Sequence, residues 1–119
     1  MDKSIKEKVT FASGQEVYRQ GQRARDAYLV ERGKVELVKE FRGQRVVIGE
    51  AGPGDIFGEL ALLEDCDRME TATAIDAAVC VVISPRMFTE HMKSATPFVK
   101  HMLTAFARSV RNTHEQLHD

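Results

Sequence analysis

The apolar residues of this 119-residue chain change their spacing at Ser84-Pro85, and that change limits the fold more than any other feature. Before it, residues 9–84 read as a series of short strands divided by glycine turns. Ala27-Tyr28-Leu29-Val30-Glu31 and Val35-Glu36-Leu37-Val38-Lys39 flank Arg32-Gly33-Lys34, which predicts a hairpin with Gly33 at positive φ. Phe41-Arg42-Gly43-Gln44 turns the chain into Arg45-Val46-Val47-Ile48, and Gly52-Pro53-Gly54 breaks the sheet. Residues 71–74 and 78–83 resume strand character, and the second run is apolar enough to be covered on both faces. Many short strands at regular spacing predict a β-sandwich or a barrel-like roll.

After Ser84 the period becomes helical. Ser84-Pro85 fits a helix start and predicts a short helix through about Met92. Thr96-Pro97 opens a longer helix, with threonine as the N-cap and proline in the first turn. Within it Val99, Leu103, Phe106, Val110, Thr113 and Leu117 alternate spacings of four and three, the seam of a coiled coil. The same stripe also suits a single amphipathic helix packed on its own sheet.

Composition removes several classes of function. A formal net charge of −1 gives no bulk attraction for nucleic acid or an anionic membrane. No apolar run is long enough to cross a bilayer, and Met1-Asp2-Lys3-Ser4-Ile5-Lys6 lacks the core of a signal peptide. Cys66 and Cys80 form neither a disulfide framework nor a zinc spacing, so a cytoplasmic location is expected. Cys66 falls in a polar loop, where it is expected to be exposed and oxidisable; Cys80 falls in an apolar strand. All four histidines (His91, His101, His114, His118) lie in the helical part and are expected to face solvent. His114 and His118 sit one turn apart, but no third metal ligand stands out. No nucleophile–base pair stands out either, so no catalytic residue is assigned and an enzyme ranks last among the readings.

One segment carries recognisable chemistry. Gly54-Asp55-Ile56-Phe57-Gly58-Glu59-Leu60-Ala61-Leu62-Leu63, with Arg68 shortly after, joins a glycine turn, a short helix start and a guanidinium. Free N–H groups at a helix start and a planar guanidinium fork both suit phosphate oxygens. Glu59 can accept from a sugar hydroxyl. A phosphate donor set beside a hydroxyl acceptor points to a nucleotide.

The same residues resemble the cyclic-nucleotide-binding domains of catabolite activator proteins, kinase regulatory subunits and gated channels. Phe57 through Leu63 match that family's phosphate-binding cassette without a gap, and Arg68 and Thr71 fall at the matching spacing. Upstream, Phe11, Gly14, Val17, Gly21, Tyr28, Leu29, Val30 and Gly33 follow its rhythm of strands and turns. The resemblance implies one domain over residues 1–119: an eight-stranded antiparallel β-roll of jelly-roll type over 9–84, a cassette over 54–71, and C-terminal helices over 85–119. It implies cAMP or cGMP as ligand and no metal or other cofactor. Gly58, Leu60, Ala61 and Arg68 are then expected to hold the phosphate, and Glu59 the ribose. Phe57, Met69 and Thr71 belong to the same ligand-binding set. Thr113, in Asn112-Thr113-His114, falls about where such proteins reach the base. The resemblance also implies a homodimer through the long helix, a protein partner that reads the state, and no DNA-binding domain within this chain.

Asp67 stands where that cassette usually has proline, and Met69 and Glu70 replace two small residues. From Glu59 to Glu70, five acids (Glu59, Glu64, Asp65, Asp67, Glu70) face one base, Arg68, a local charge of −4. Two expectations therefore compete: a nucleotide sensor with Glu70 turned outward, and a roll that has lost its ligand and serves as a dimerising or docking module. On sequence grounds Arg68→Ala is expected to abolish binding with little effect on melting.

Overall fold

The computed structural model describes residues 7–117. Strands β1 (Lys8–Phe11), β2 (Glu16–Tyr18), β3 (Ala27–Phe41), β4 (Gln44–Ala51) and β5 (Ile56–Phe57) lead to helix α1 (Leu60–Leu63). Strand β6 (Thr71–Ile83) and helices α2 (Pro85–Met92) and α3 (Pro97–Gln116) follow. β3 and β6 run antiparallel along most of their lengths and form the spine of the molecule.

Each of these two strands replaces a predicted pair of shorter ones. Arg32-Gly33-Lys34 is not the expected hairpin; the chain continues through it, and the register against β6 shifts between Val30 and Val35. Gly33 has the expected positive φ, +85°, but uses it in a bulge. A Cβ at Gly33 would lie 2.2 Å from the Ala77 carbonyl oxygen, so only glycine lets β6 come this close. Bulges increase local twist, and the spine passes from one layer into a second at this point.

The flanking strands show the two layers. On one side of the bulge β1 pairs with β6 (Phe11 opposite Ala78) and β5 with β3 (Tyr28 opposite Phe57). On the other, β2 pairs with β6 (Tyr18 opposite Ala72) and β4 with β3 (Val35 opposite Ala51). Each layer thus holds four strand segments, so the eight-stranded antiparallel β-roll is built from six continuous strands among the described residues. Between the layers Val30, Val35, Phe57 and Cys80 are fully buried. Each such valine or phenylalanine contributes about 1.5–3 kcal/mol.

The helix starts fall where the sequence places them. Ser84 Oγ accepts from the Met87 amide at 3.1 Å, and Thr96 Oγ1 from the Val99 amide at 3.2 Å. Such caps contribute about 1 kcal/mol each. Along α3, Ala107 is buried against the rest of the chain, while Phe98, Val99, Met102, Phe106, Val110 and Leu117 remain exposed. Most of the predicted seam therefore faces away from the roll. Among the described residues no helix is long and apolar enough to cross a membrane.

Candidate functional site

The cassette closes around Arg68. β5 ends at Phe57, whose ring is buried against Tyr28 at 5.3 Å and fixes the start of the turn. Gly58 follows at φ +75°, with room for no side chain: a Cβ would stand 2.8 Å from Arg68 Nη1 and 3.2 Å from the Tyr18 ring. The Arg68 main chain is clamped in both directions, its amide donating to Gln22 O and its carbonyl accepting from Gly21 N, each at 2.8 Å.

Arg68 is 8 % exposed. Nη2 donates to Asp26 O at 2.7 Å and Nη1 to Gly58 O at 3.3 Å, and the group lies 3.9 Å from the Tyr18 ring centroid. No ion pair joins it to a carboxylate among the described residues. This buried cation is held by carbonyl dipoles and a π face, and an opposite charge acts on it only at longer range, from Glu59. It lines a cavity of about 40 Å³ together with Gly58, Glu59, Leu60, Ala61, Met69 and Glu70. Val110 and His114 of α3 close the far side.

Of the nine expected ligand-binding residues, six line this cavity: Gly58, Glu59, Leu60, Ala61, Arg68 and Met69. Phe57 is packed in the core beneath it. Thr71 is elsewhere: its hydroxyl accepts from the Gln20 amide at 2.9 Å, beside a separate groove. Thr113 is not brought to the cavity either. It is exposed, and its hydroxyl donates to Ser109 O at 3.1 Å; one residue is about 100° of helical phase, and His114 takes the inward position.

The acids separate by environment. Asp65 and Asp67 are exposed, and Glu64 pairs with Arg111 at 3.2 Å. Glu59 stands exposed at the rim; partial desolvation pushes its carboxyl above the usual range, and Glu70 adds to this. Glu70 corrects the expectation of an outward side chain. Its Oε2 accepts from Tyr18 Oη at 2.5 Å and its Oε1 lies 3.7 Å from His114 Nε2. Desolvation, then the Glu70 carboxylate, pushes the Tyr18 hydroxyl well above its ordinary value, so it stays protonated and donating.

His114 likewise does not face solvent as expected. Its Nδ1 lies 3.1 Å from Lys39 Nζ, which also donates to Met69 O at 2.9 Å. Burial, then Lys39, lowers the imidazole, against an opposing pull from Glu70. Lys39 is itself buried and lowered by desolvation. Sequence reasoning missed Lys39, Tyr18 and the inward His114. A lysine amid the apolar residues Leu37 and Val38 was the available signal for the first.

Cys66 is half-buried rather than exposed, and desolvation raises its thiol, which keeps it protonated. No group of three or more His, Cys, Asp or Glu side chains could hold a metal among the described residues, and His118 lies outside them.

Residues 8–95 match the profile of the cyclic nucleotide-binding domain. The chain is 36 % identical over 83 residues to a cAMP-dependent protein kinase regulatory subunit of Mucor circinelloides, covering 70 % of this chain and 19 % of that one. It is 29 % identical over 109 residues to the cyclic AMP receptor protein of Thermus thermophilus, covering 90 % and 50 %. The solved structure of Thermus thermophilus catabolite activator protein superposes with a TM-score of 0.78 at 28 % identity, covering 97 % of this chain and 55 % of that one. The cAMP-bound EAL enzyme Bd1971 shares the fold, with a TM-score of 0.83 at 20 % identity over 92 % of this chain and 29 % of its own. The chain thus spans half or less of the length of these two sequence relatives.

Proposed function

The chain belongs to the cyclic nucleotide-binding domain family, and on that premise we propose that it is a regulatory module binding cAMP or cGMP on Gly58, Leu60, Ala61 and Arg68. The observation that carries this reading is Arg68: a guanidinium fixed at the cavity wall, with no carboxylate paired to it among the described residues. A cyclic phosphate monoanion supplies a partner in direct contact, and the Gly58 turn lets main chain approach it. Glu59 at the rim accepts from the ribose hydroxyls. Nothing in this reading requires catalysis.

The cavity's 40 Å³ is far below the roughly 300 Å³ at which small-molecule pockets begin. Ligand entry therefore requires α3, which supplies Val110 and His114, to move off the cassette. This ties binding to the helix and makes α3 the output element.

Calorimetric titration with cAMP, cGMP and cyclic dinucleotides tests the reading: one cyclic mononucleotide is expected to saturate one site per chain. Glu70→Ala is expected to tighten that binding about tenfold, since it removes a carboxylate from the cavity wall. No heat from any nucleotide, in either protein, would leave the second reading, a docking module without a ligand. The inward Glu70 and the small cavity favour that second reading.

The exposed stripe on α3 supports a homodimer through this helix. Phe98 and Phe106 are 71 % and 60 % exposed, which is costly for aromatic rings in water. Phe106→Glu is expected to convert a dimer to a monomer in sedimentation equilibrium. A wild-type chain that sediments as a monomer at high concentration removes the dimer.

A further inference from the structure

Four polar side chains from four parts of the fold meet on the inner side of α3: Tyr18 of β2, Lys39 of β3, Glu70 before β6, and His114 of the helix itself. An ammonium has donors only, so Lys39 Nζ can bond to His114 Nδ1 at 3.1 Å only if that nitrogen is bare. This assigns the proton of neutral His114 to Nε2, facing Glu70 Oε1 at 3.7 Å. A second proton on the ring must go to Nδ1. There it turns a hydrogen bond into two donors, and two cations, at the same short distance.

We propose that the Lys39–His114 contact is an acid-sensitive latch: protonation of His114 expels the imidazole from Lys39 and frees the last turns of α3 from the roll. The other charges around the ring do not cancel the conflict. Glu70 attracts the imidazolium from 3.7 Å, but its other oxygen is engaged by Tyr18. From the cassette, Glu59 and Arg68 line the same cavity with opposite signs. On α3, Arg111 is bound to Glu64 and Glu115, which leaves the charges nearest the ring largely neutralised in pairs. On the outer side Asp65 and Asp67 line an adjoining groove but are exposed and screened.

The sign follows from the lowered His114. The docked helix holds the imidazole below its undocked value, so docking is favoured above about pH 6.5 and weakens as pH falls through the docked value. The effect is local because the β3·β6 spine does not depend on it.

Native-state hydrogen exchange of the full chain at pH 7.5 and 5.5 tests the latch without any nucleotide, so its outcome is separate from that of the nucleotide reading. After correction for intrinsic exchange, the amides of residues 108–116 are expected to open up to about tenfold more at the lower pH. The amides of β3 and β6 are expected to stay unchanged. His114→Gln, which cannot take up the proton, should abolish the difference. Lys39→Met removes the conflict but leaves the burial cost and the pull of Glu70, so the loosening by acid should shrink well below that of the wild type. Equal protection at both pH values in the wild type, the same loosening in His114→Gln or Lys39→Met, or loosening shared equally by β3 and β6 overturns the proposal.

Discussion

Gly33→Ala is expected to cost about 3 kcal/mol or more and to lower the melting temperature by about 10 °C or more. Two penalties combine. The residue sits at φ +85°, which a side chain resists by roughly 1–2 kcal/mol. Its Cβ would also meet Ala77 O at 2.2 Å, Ala78 Cα at 2.7 Å and Ala77 C at 2.9 Å. All three are backbone atoms of the opposing strand, so no rotamer change relieves the clash, and β3 and β6 must separate at the bend between layers. Gly43→Ala is the matched control. Gly43 has a similar φ of +74°, but a Cβ there meets nothing within 4 Å. Only the conformational cost of about 1–2 kcal/mol applies. Chemical denaturation of the two variants measures the difference; equal losses would mean that strand contact at the bulge contributes nothing.

Gly33 also shows where sequence reasoning stops. A glycine between two strand-like runs has the same signature in a hairpin turn and in a bulge, because both use positive φ. The difference lies in the partner: β6 supplies a continuous strand opposite, and no local pattern announces that. Signals held within one turn of chain were legible. Ser84 and Thr96 cap their helices through a hydroxyl three residues from its amide, and each is followed by proline. The run from Phe57 to Leu63, with Arg68 nearby, was legible for the same reason, since turn, helix start and guanidinium are close in sequence.

What the sequence could not display is the set of contacts made over long separations. Tyr18 meets Glu70 across 52 positions, and Lys39 meets His114 across 75. His114 reads as a solvent residue on helical spacing alone; it turns inward because β3 offers a buried ammonium and the cassette a carboxylate. The five acids had summed to a repulsive loop. Once Glu64 is bound to Arg111 and Asp65 is in water, Glu59 and Glu70 line the cavity, with Asp67 exposed at its edge. The unfavourable charge is therefore concentrated at the cavity wall rather than spread evenly over the loop.

Arg68→Ala is expected to weaken cyclic nucleotide binding by at least about 100-fold, because a phosphate loses a charge-assisted pair in a site with little water. It is also expected to lower stability by about 2 kcal/mol, which revises the expectation from sequence. The guanidinium is buried, donates to Asp26 O and Gly58 O, and covers the face of Tyr18. Its removal strands two carbonyls and opens a void beside the ring. The two effects are separable by titrating well below both melting transitions, where mutant and wild type are each folded. Arg68→Lys sharpens the comparison. A lysine keeps the charge but not the planar fork, so it cannot bond to both carbonyls and still present a pair of donors to a phosphate. It is expected to recover part of the affinity and little of the stability. If Arg68→Ala binds nucleotide as tightly as the wild type, the guanidinium is a structural strut between Asp26, Gly58 and Tyr18, and the phosphate must be held elsewhere or not at all.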